Sequence, residues 1–254
     1  MRITMVAGAD AAPFVHDLVA LLDPADELTV IAPTVRRHVS AGLEASPDLD
    51  GLLTPGGEPT YAVADALAAV EYVPTWQRAS DQVVAARLVR TQLVTTGASL
   101  TDVTIAAAIR GSLPYRLLPV CDERAELRVV VGSDEPRAIH VGEYLAEPTS
   151  YEATQLLLVA DKIAVSSAVT QTLTDTDVLV LGPSSRTLVI DPVLRTPGFL
   201  ELIADELPVL VVDHEDTVPA ELVRVAGLRQ PDPGRSRSVP RNAATMLQIA
   251  QVSA

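Results

Sequence analysis

The 254-residue sequence contains a single cysteine, Cys121, and a single lysine, Lys162. One cysteine excludes an internal disulfide and is typical of a reducing compartment. The chain has 33 acidic and 19 basic residues, a formal charge of −14 that opposes binding to nucleic acid and anionic membranes. We therefore expect a cytoplasmic protein that has neither nucleic acid nor a membrane among its partners.

Long apolar runs and aromatic residues are also scarce. No uninterrupted apolar run approaches the roughly 18 residues of a membrane span, and the run in MRITMVAGAD is too short for a signal peptide. Hydrophobic residues make up 48% of the chain but aromatic residues only 3%, so aliphatic side chains must build the core. Such a core is usual where helices cover a parallel sheet.

The order of predicted strands and helices favours an α/β fold with a doubly wound, mainly parallel sheet. Strands are predicted at Arg2–Val6 and at residues 28–31, with a helix that includes Phe14 between them. Strand, loop, helix and strand within about thirty residues open such a sheet. The same rhythm returns around strands predicted at Val178–Leu181 and Val209–Val212.

The rest of the chain divides by the same patterns. Residues 51–62 are predicted as a loop, and helices are predicted over residues 63–70, 83–95, 100–109, 164–173 and 198–205. Strands are predicted over residues 115–120, 127–131 and 139–144, as a hairpin beside the main sheet, and over residues 155–159. Residues 1–230 then form one α/β domain with a smaller region inserted at about 51–150. Residues 231–241 are predicted as a flexible linker and residues 242–254 as a C-terminal helix.

Ligands of an open parallel sheet bind outside the carboxyl ends of its strands, where two loops are candidate phosphate sites. In AGADAAP (7–13), Gly8 lets the backbone approach an anion; the alternative is an ordinary strand-to-helix turn. In GPSSRT (182–187), Gly182 permits close approach, Ser184 and Ser185 offer hydroxyls, and Arg186 offers a forked cation. The alternative for this loop is a turn capped by serine.

Other polar residues give weaker indications of chemistry. The acids of DHEDTV (213–218) are adjacent and cannot all face one ion, which favours a solvated loop over a metal site. His38 and His140 stand alone in the sequence, and Cys121 has acidic rather than basic neighbours, which favours an inert thiol.

Five segments carry a family resemblance. They are GLEASPDLDG (42–51), WQRASDQVVAARLVRTQL (76–93), LLPVCDERAELRVVV (117–131), RAIHVGEY (137–144) and TDVLVLGPSSRTLVIDPVLRTPGF (176–199). In order and spacing, over about residues 2–212, they resemble the CofD/FbiA family, the 2-phospho-L-lactate transferases of coenzyme F-420 biosynthesis. The resemblance implies a Rossmann-like core with a smaller added region. It also implies transfer of a phosphoacid, phospholactyl or phosphoenolpyruvyl, from a guanosine diphosphate donor to the deazaflavin Fo, assisted by Mg²⁺.

This chain departs from the family at its first motifs. The family's glycine-rich loop GG-x-GG-x-[KR]-x is AGADAAPF here, and Arg36 and Arg37 align with the acidic pair of the family's N-T-G-D-D. Arginine cannot ligate Mg²⁺, so this substitution argues against the ion that the resemblance implies. The two arginines either contact phosphate directly or are solvated loop charges.

The resemblance and the chemistry of the loops together give the candidate site residues. Asp48 and Asp50 are the candidate catalytic residues. The candidate nucleotide- and phosphate-binding residues are Gly8, Arg36, Arg37, Gly182, Ser184, Ser185 and Arg186. The candidate acceptor-binding residues are Trp76, Asp81, Arg90 and Thr91.

Two functions stay open at this point. The chain is either an active transferase or a decayed paralogue that binds a nucleotide, a deazaflavin or an intact transferase subunit. The resemblance implies a homodimer, and a heterodimer with an intact homologue is the alternative.

Overall fold

A computed structural model describes residues 1–54, 58–72, 76, 78–214, 218–226 and 236–253. Its strands are β1 Arg2–Val6, β2 Glu27–Ala32, β3 His38–Ser40, β4 Leu43–Ala45, β5 Arg116–Pro119, β6 Ala125–Val131, β7 Arg137–His140, β8 Ala153–Ala160, β9 Val178–Leu181, β10 Val209–Val212 and β11 Ser236–Val239. Its helices are α1 Ala12–Val19, α2 Pro47–Leu53, α3 Ala62–Ala69, α4 Asp81–Thr95, α5 Leu100–Arg110, α6 Val141–Ala146, α7 Ser167–Thr174, α8 Asp191–Leu194, α9 Ala220–Ala226 and α10 Ala243–Ser253. None of these helices combines the length and apolar character needed to cross a bilayer.

The central layer is a six-stranded parallel sheet in the order β11-β10-β9-β1-β2-β5. Ile3 of β1 lies opposite Leu28 of β2 on one side and Val178 of β9 on the other. The strand order changes direction at β1, so the crevice between β1 and β9 is where ligands of such sheets bind. The predicted Rossmann-like, mainly parallel sheet is confirmed.

Helices cover both faces of this sheet because its inner strands are apolar on both sides. In β9, Val178 and Val180 belong to one buried cluster while Leu179 and Leu181 belong to the other. Successive side chains of a strand point to opposite faces, so an unbroken apolar strand needs cover on both. The first cluster includes residues of α1, α2 and α10, and the second includes residues of α7, α8 and α9.

The smaller added region is a three-stranded antiparallel sheet in the order β7-β6-β8, accompanied by the β3–β4 hairpin. Two predictions for the strands of this region are wrong. β5 was expected in a hairpin beside the main sheet, but it forms the edge of the main sheet next to β2. The strand expected over residues 139–144 ends at His140, whose Nδ1 accepts a hydrogen bond from the backbone N–H of Gly142 and caps α6.

Three further segments differ from expectation. The loop predicted over residues 51–62 begins inside α2 and ends inside α3, and residues 55–57 lie outside the described part. The helix predicted over residues 198–205 shortens to one 3₁₀ turn at Leu200–Leu202. Within the predicted linker, residues 231–235 lie outside the described part and Ser236–Val239 is β11, which pairs with β10. This pairing is a long-range contact that local composition does not encode.

Candidate functional site

The loops that follow β1 and β9 touch at the carboxyl end of the sheet. The backbone N–H of Gly8 donates to Ser184 Oγ at 2.9 Å, and the N–H of Gly182 donates to the carbonyl of Val6 at 2.9 Å. A Cβ on Gly8 would lie 2.6 Å from Asp48 Oδ1 and from Val189 Cγ2, so only glycine allows this approach. We use "rim" for the site formed by Gly8, Asp10, Arg36, Asp48, Ser184 and Ser185.

Asp10 accepts hydrogen bonds from both serines of the predicted phosphate loop, but only one of the two donors is a predicted hydroxyl. Its Oδ1 accepts from Ser184 Oγ at 2.6 Å, and its Oδ2 accepts from the backbone N–H of Ser185 at 2.8 Å. Ser184 and Ser185 are 3% and 4% exposed, whereas Asp10 is exposed. Ser185 Oγ also accepts from the N–H of Leu188 and so caps the turn that follows. Several hydrogen-bonding groups of the GPSSRT loop are therefore already paired with other groups of the protein.

Arg36 reaches the rim through Asp48. Its Nε donates to Asp48 Oδ2 at 3.0 Å and its Nη2 to Asp48 Oδ1 at 2.5 Å, a bidentate pair. Asp48 is only 1% exposed and also accepts from the N–H of Ala9 at 3.3 Å. Burial lowers the pKa of Arg36, but attraction and hydrogen bonding to Asp48, with a smaller effect of Asp10, raise it overall. Arg36 is thus a fixed cation at the carboxyl end of the sheet.

Arg37 lies at a different place from Arg36. Its buried guanidinium donates to the carbonyls of Asp122 and Glu123 at 2.9 and 3.3 Å and contacts Glu44 at 3.5 Å. Burial lowers its pKa, and Glu44 opposes that shift. The contacts of Arg37 tie the β3–β4 hairpin to the loop after β5, so the paired arginines of the sequence have separate surroundings.

Asp50 anchors α4 rather than facing the rim residues. Its carboxylate, 4% exposed, accepts from Arg87 Nε at 2.8 Å and from Arg90 Nη1 at 2.6 Å. Thr91 Oγ accepts from the N–H of Glu44 at 2.8 Å and donates to the carbonyl of Arg87. These contacts join α2, α4 and β4, and they bring Arg90 beside Asp50 and Thr91 beside Glu44.

The other candidate acceptor residues are Asp81 and Trp76. Asp81 accepts from the N–H groups of Ala62 and Val63 at 3.1 and 2.9 Å, so it caps α3. A hydrogen bond from Thr60, together with these backbone donors, lowers its pKa. Asp81 therefore stabilises the start of α3, and Trp76 lies in a different group of side chains.

Trp76, His38 and His140 form an aromatic cluster that the sequence did not reveal. The rings of Trp76 and His140 are stacked, with 5.4 Å between their centroids. His38 contacts His140 edge to face, with 4.8 Å between the ring centroids. Burial, and secondarily His38, lower the pKa of His140 to about 4, so this ring is neutral at pH 7. The two histidines are far apart in the sequence and in different strands, so only the fold brings them together.

The remaining candidates have partners near their own loops. Arg186 Nε donates to Asp191 Oδ1 at 3.2 Å, and Arg186 is partly exposed. In the DHEDTV loop, residues 215–217 lie outside the described part, while His214 contacts Arg241 at 3.3 Å. Cys121 is buried, and burial raises the pKa of its thiol, as expected of an inert cysteine.

The described residues do not fit the Mg²⁺ that the family resemblance implies. Within that part of the chain, no three His, Cys, Asp or Glu side chains cluster so as to hold a metal ion. The buried carboxylates of Asp48 and Asp50 bond to arginines instead. A guanidinium has only donors, so it cannot complete a metal's ligand shell.

Comparisons with known proteins give a family for the sequence and solved structures of similar fold. A family model described as 2-phospho-L-lactate transferase CofD matches residues 4–217. A phosphoenolpyruvate transferase of Kitasatospora aureofaciens is 32% identical over 220 residues, which are 80% of this chain and 68% of that protein. The Streptomyces griseus protein of the same name is 34% identical over 221 residues, 81% and 69% of the two chains. The structure of Bacillus halodurans protein BH3568 superposes with a TM-score of 0.60 at 13% identity, over 88% of this chain and 74% of that one, a likeness of fold alone.

Proposed function

The chain belongs to the CofD family, and on that premise we propose that it transfers a phosphoacid from a guanosine diphosphate donor to the deazaflavin Fo. The phosphoacid is phosphoenolpyruvyl or phospholactyl, and the product belongs to coenzyme F-420 biosynthesis. The observation that carries this proposal is the family match over residues 4–217, which includes both loops of the rim. Relatives named phosphoenolpyruvate transferases, about a third identical, support the class of reaction.

In this proposal the donor's diphosphate lies against the rim. The donors at the point where the strand order reverses are the backbone N–H groups of Gly8 and Ser185 and the hydroxyl of Ser184. In the structure they bond to Ser184 Oγ and to the Asp10 carboxylate, which the ligand would have to replace. Asp48 fixes Arg36 through its Nε and Nη2, and the Arg36 side chain keeps about a fifth of its surface exposed. A positioned guanidinium stabilises charge that develops on a transferring phosphoryl group.

The proposal gives the buried aspartates positioning roles. Asp48 orients Arg36, and Asp50 orients Arg87 and Arg90 on α4. That either carboxylate also takes part in the chemical step stays a prediction. The proposal has the planar deazaflavin bind beside Trp76, whose ring is stacked on His140. GMP leaves as the new phosphodiester forms at the acceptor hydroxyl.

A second candidate is a relative that binds nucleotide, deazaflavin or an intact transferase subunit without turnover. The observation that favours it is that both rim aspartates bond to the protein's own groups, Asp10 to Ser184 and Ser185, and Asp48 to Arg36. An assembly with an intact homologue would supply what this rim lacks, whereas an active transferase is proposed as a homodimer.

The test measures GMP release from each guanylylated phosphoacid, with and without Fo and with and without Mg²⁺. Fo-dependent release by the parent supports the transferase, and Ser184→Ala should lower kcat/KM by about tenfold or more. Ser133→Ala serves as the control because it removes an exposed hydroxyl that bonds to Glu152 and is not part of the rim. Binding of GDP or Fo without turnover supports the second candidate. Absence of turnover and of binding to GDP, Fo and an intact homologue would refute both candidates.

A further inference from the structure

The rim already contains an anion of its own, the carboxylate of Asp10. It accepts from Ser184 Oγ and from the backbone N–H of Ser185, the donors that a bound phosphate would need. Both serines are almost fully buried. A ligand's phosphate therefore reaches these two donors only where Asp10 gives them up.

The two rim aspartates differ in how easily they can move. Asp48 is 1% exposed, and its carboxylate is held by both arms of Arg36 and by the N–H of Ala9. Asp10 is exposed, so its carboxylate exchanges the two protein donors for water when it swings away. Asp10 is therefore the replaceable anion of the rim and Asp48 the permanent one.

Charge at the rim points the same way. Asp10 and Asp48 contribute two negative charges and Arg36 one positive charge, a sum of −1. Removing the charge of Asp10 brings that sum to zero and frees two hydrogen-bond donors. Both changes favour an incoming anion, because like charges a few ångströms apart repel strongly near a protein surface.

We propose that Asp10 is a specificity-determining residue whose carboxylate competes with a ligand's phosphate for Ser184 Oγ and the N–H of Ser185. This competition lowers the affinity for any phosphate ligand. Inorganic phosphate and pyrophosphate then bind weakly, whereas a nucleoside diphosphate displaces Asp10 because its nucleoside makes additional contacts. This rests on the proposed function, in which the rim receives the diphosphate of the donor.

Isothermal titration of the full chain with inorganic pyrophosphate and with GDP tests the proposal. Asp10→Ala should bind pyrophosphate about 10- to 100-fold more tightly than the parent, a range set by hydrogen bonds to charged groups and by removal of a like charge. Asp17→Ala, an exposed position in α1 with the same change of charge, should alter the affinity less than about twofold. Equal effects of the two substitutions would overturn the role of Asp10.

Asp10→Asn covers the case in which the alanine variant folds poorly, because the amide keeps an acceptor oxygen at the same place. It should also bind pyrophosphate more tightly than the parent, and unchanged affinity overturns the proposal. Tighter pyrophosphate binding by the Asp10 variants of a chain that binds no GDP supports the competition at Asp10 and refutes both the discrimination in favour of a nucleoside diphosphate and the proposed function. Fo-dependent GMP release by the parent from a guanylylated phosphoacid, together with equal pyrophosphate affinities of the Asp10→Ala and Asp17→Ala variants, refutes the inference and leaves the proposed function standing.

Discussion

Replacing Asp50 by asparagine should remove a large part of the free energy of unfolding. The Asp50 carboxylate is the shared counter-ion of Arg87 and Arg90, at 2.8 and 2.6 Å. All three side chains are buried between α2 and α4. The asparagine variant keeps the size of the side chain and removes its charge, so two buried guanidinium groups lose their compensating charge.

The expected loss is about 3 to 5 kcal/mol, the range measured when one partner of a buried ion pair is removed. Domains have unfolding free energies of roughly 5 to 15 kcal/mol, so the loss is about a fifth of the total or more. At roughly 2 to 4 °C per kcal/mol for a chain of this size, the melting temperature should fall by about 6 to 20 °C.

Urea unfolding followed by circular dichroism measures this loss, with Asp17→Asn as the exposed control of equal charge change. The control should stay within about 0.5 kcal/mol of the parent. A triple variant, Asp50→Asn with Arg87→Met and Arg90→Met, should regain much of the loss, because it removes the buried charges themselves. Two results would refute the role given to these three charged side chains. One is a loss below about 1 kcal/mol for Asp50→Asn, and the other is a triple variant less stable than Asp50→Asn.

Four further outcomes are expected. Because burial lowers the pKa of His140 to about 4 and the unfolded value is about 6.5, the unfolded chain binds more protons between these values. The stability due to neutral His140 is thus complete above about pH 6.5 and is lost as the pH falls to about 4. Urea unfolding at pH 7 and pH 4 measures how much the free energy of unfolding falls between the two. This fall should be smaller by about 2 to 3 kcal/mol in His140→Asn, which keeps a side chain able to cap α6. If Arg186 contacts the donor, Arg186→Ala should weaken GDP binding by about 1.5 to 3 kcal/mol in titration calorimetry, whereas Arg195→Ala, which removes another arginine bonded to the same aspartate, should not. Arg36→Asp should raise Mg²⁺ affinity in calorimetry by adding a third carboxylate at the rim, whereas Arg36→Ala should not. Gly8→Ala should lower the free energy of unfolding by about 1 to 3 kcal/mol, because its Cβ would overlap two neighbouring side chains; a neutral result would show that the two loops can separate.

The sequence by itself predicted the central sheet well. Val178–Leu181 and Val209–Val212 begin and end where the structure has them, because short β-branched and leucine runs between turn residues specify buried strands locally. The rule that ligands bind at the carboxyl ends of parallel strands then placed Gly8 and Ser184 near each other, and the fold confirms that they touch.

Only the tertiary structure decided which charges meet. The sequence suggested that Arg36 and Arg37 act as a pair, but Arg36 bonds to Asp48 while Arg37 bonds to the loop after β5. Strand β11, within a segment whose composition predicted a linker, exists because β10 offers it an edge. The reason is physical: strand and helix periodicity act between near neighbours, whereas a hydrogen bond such as that between Gly8 and Ser184 joins loops 176 residues apart. The partner of each polar group therefore depends on which distant loops become neighbours when helices pack on both faces of the sheet.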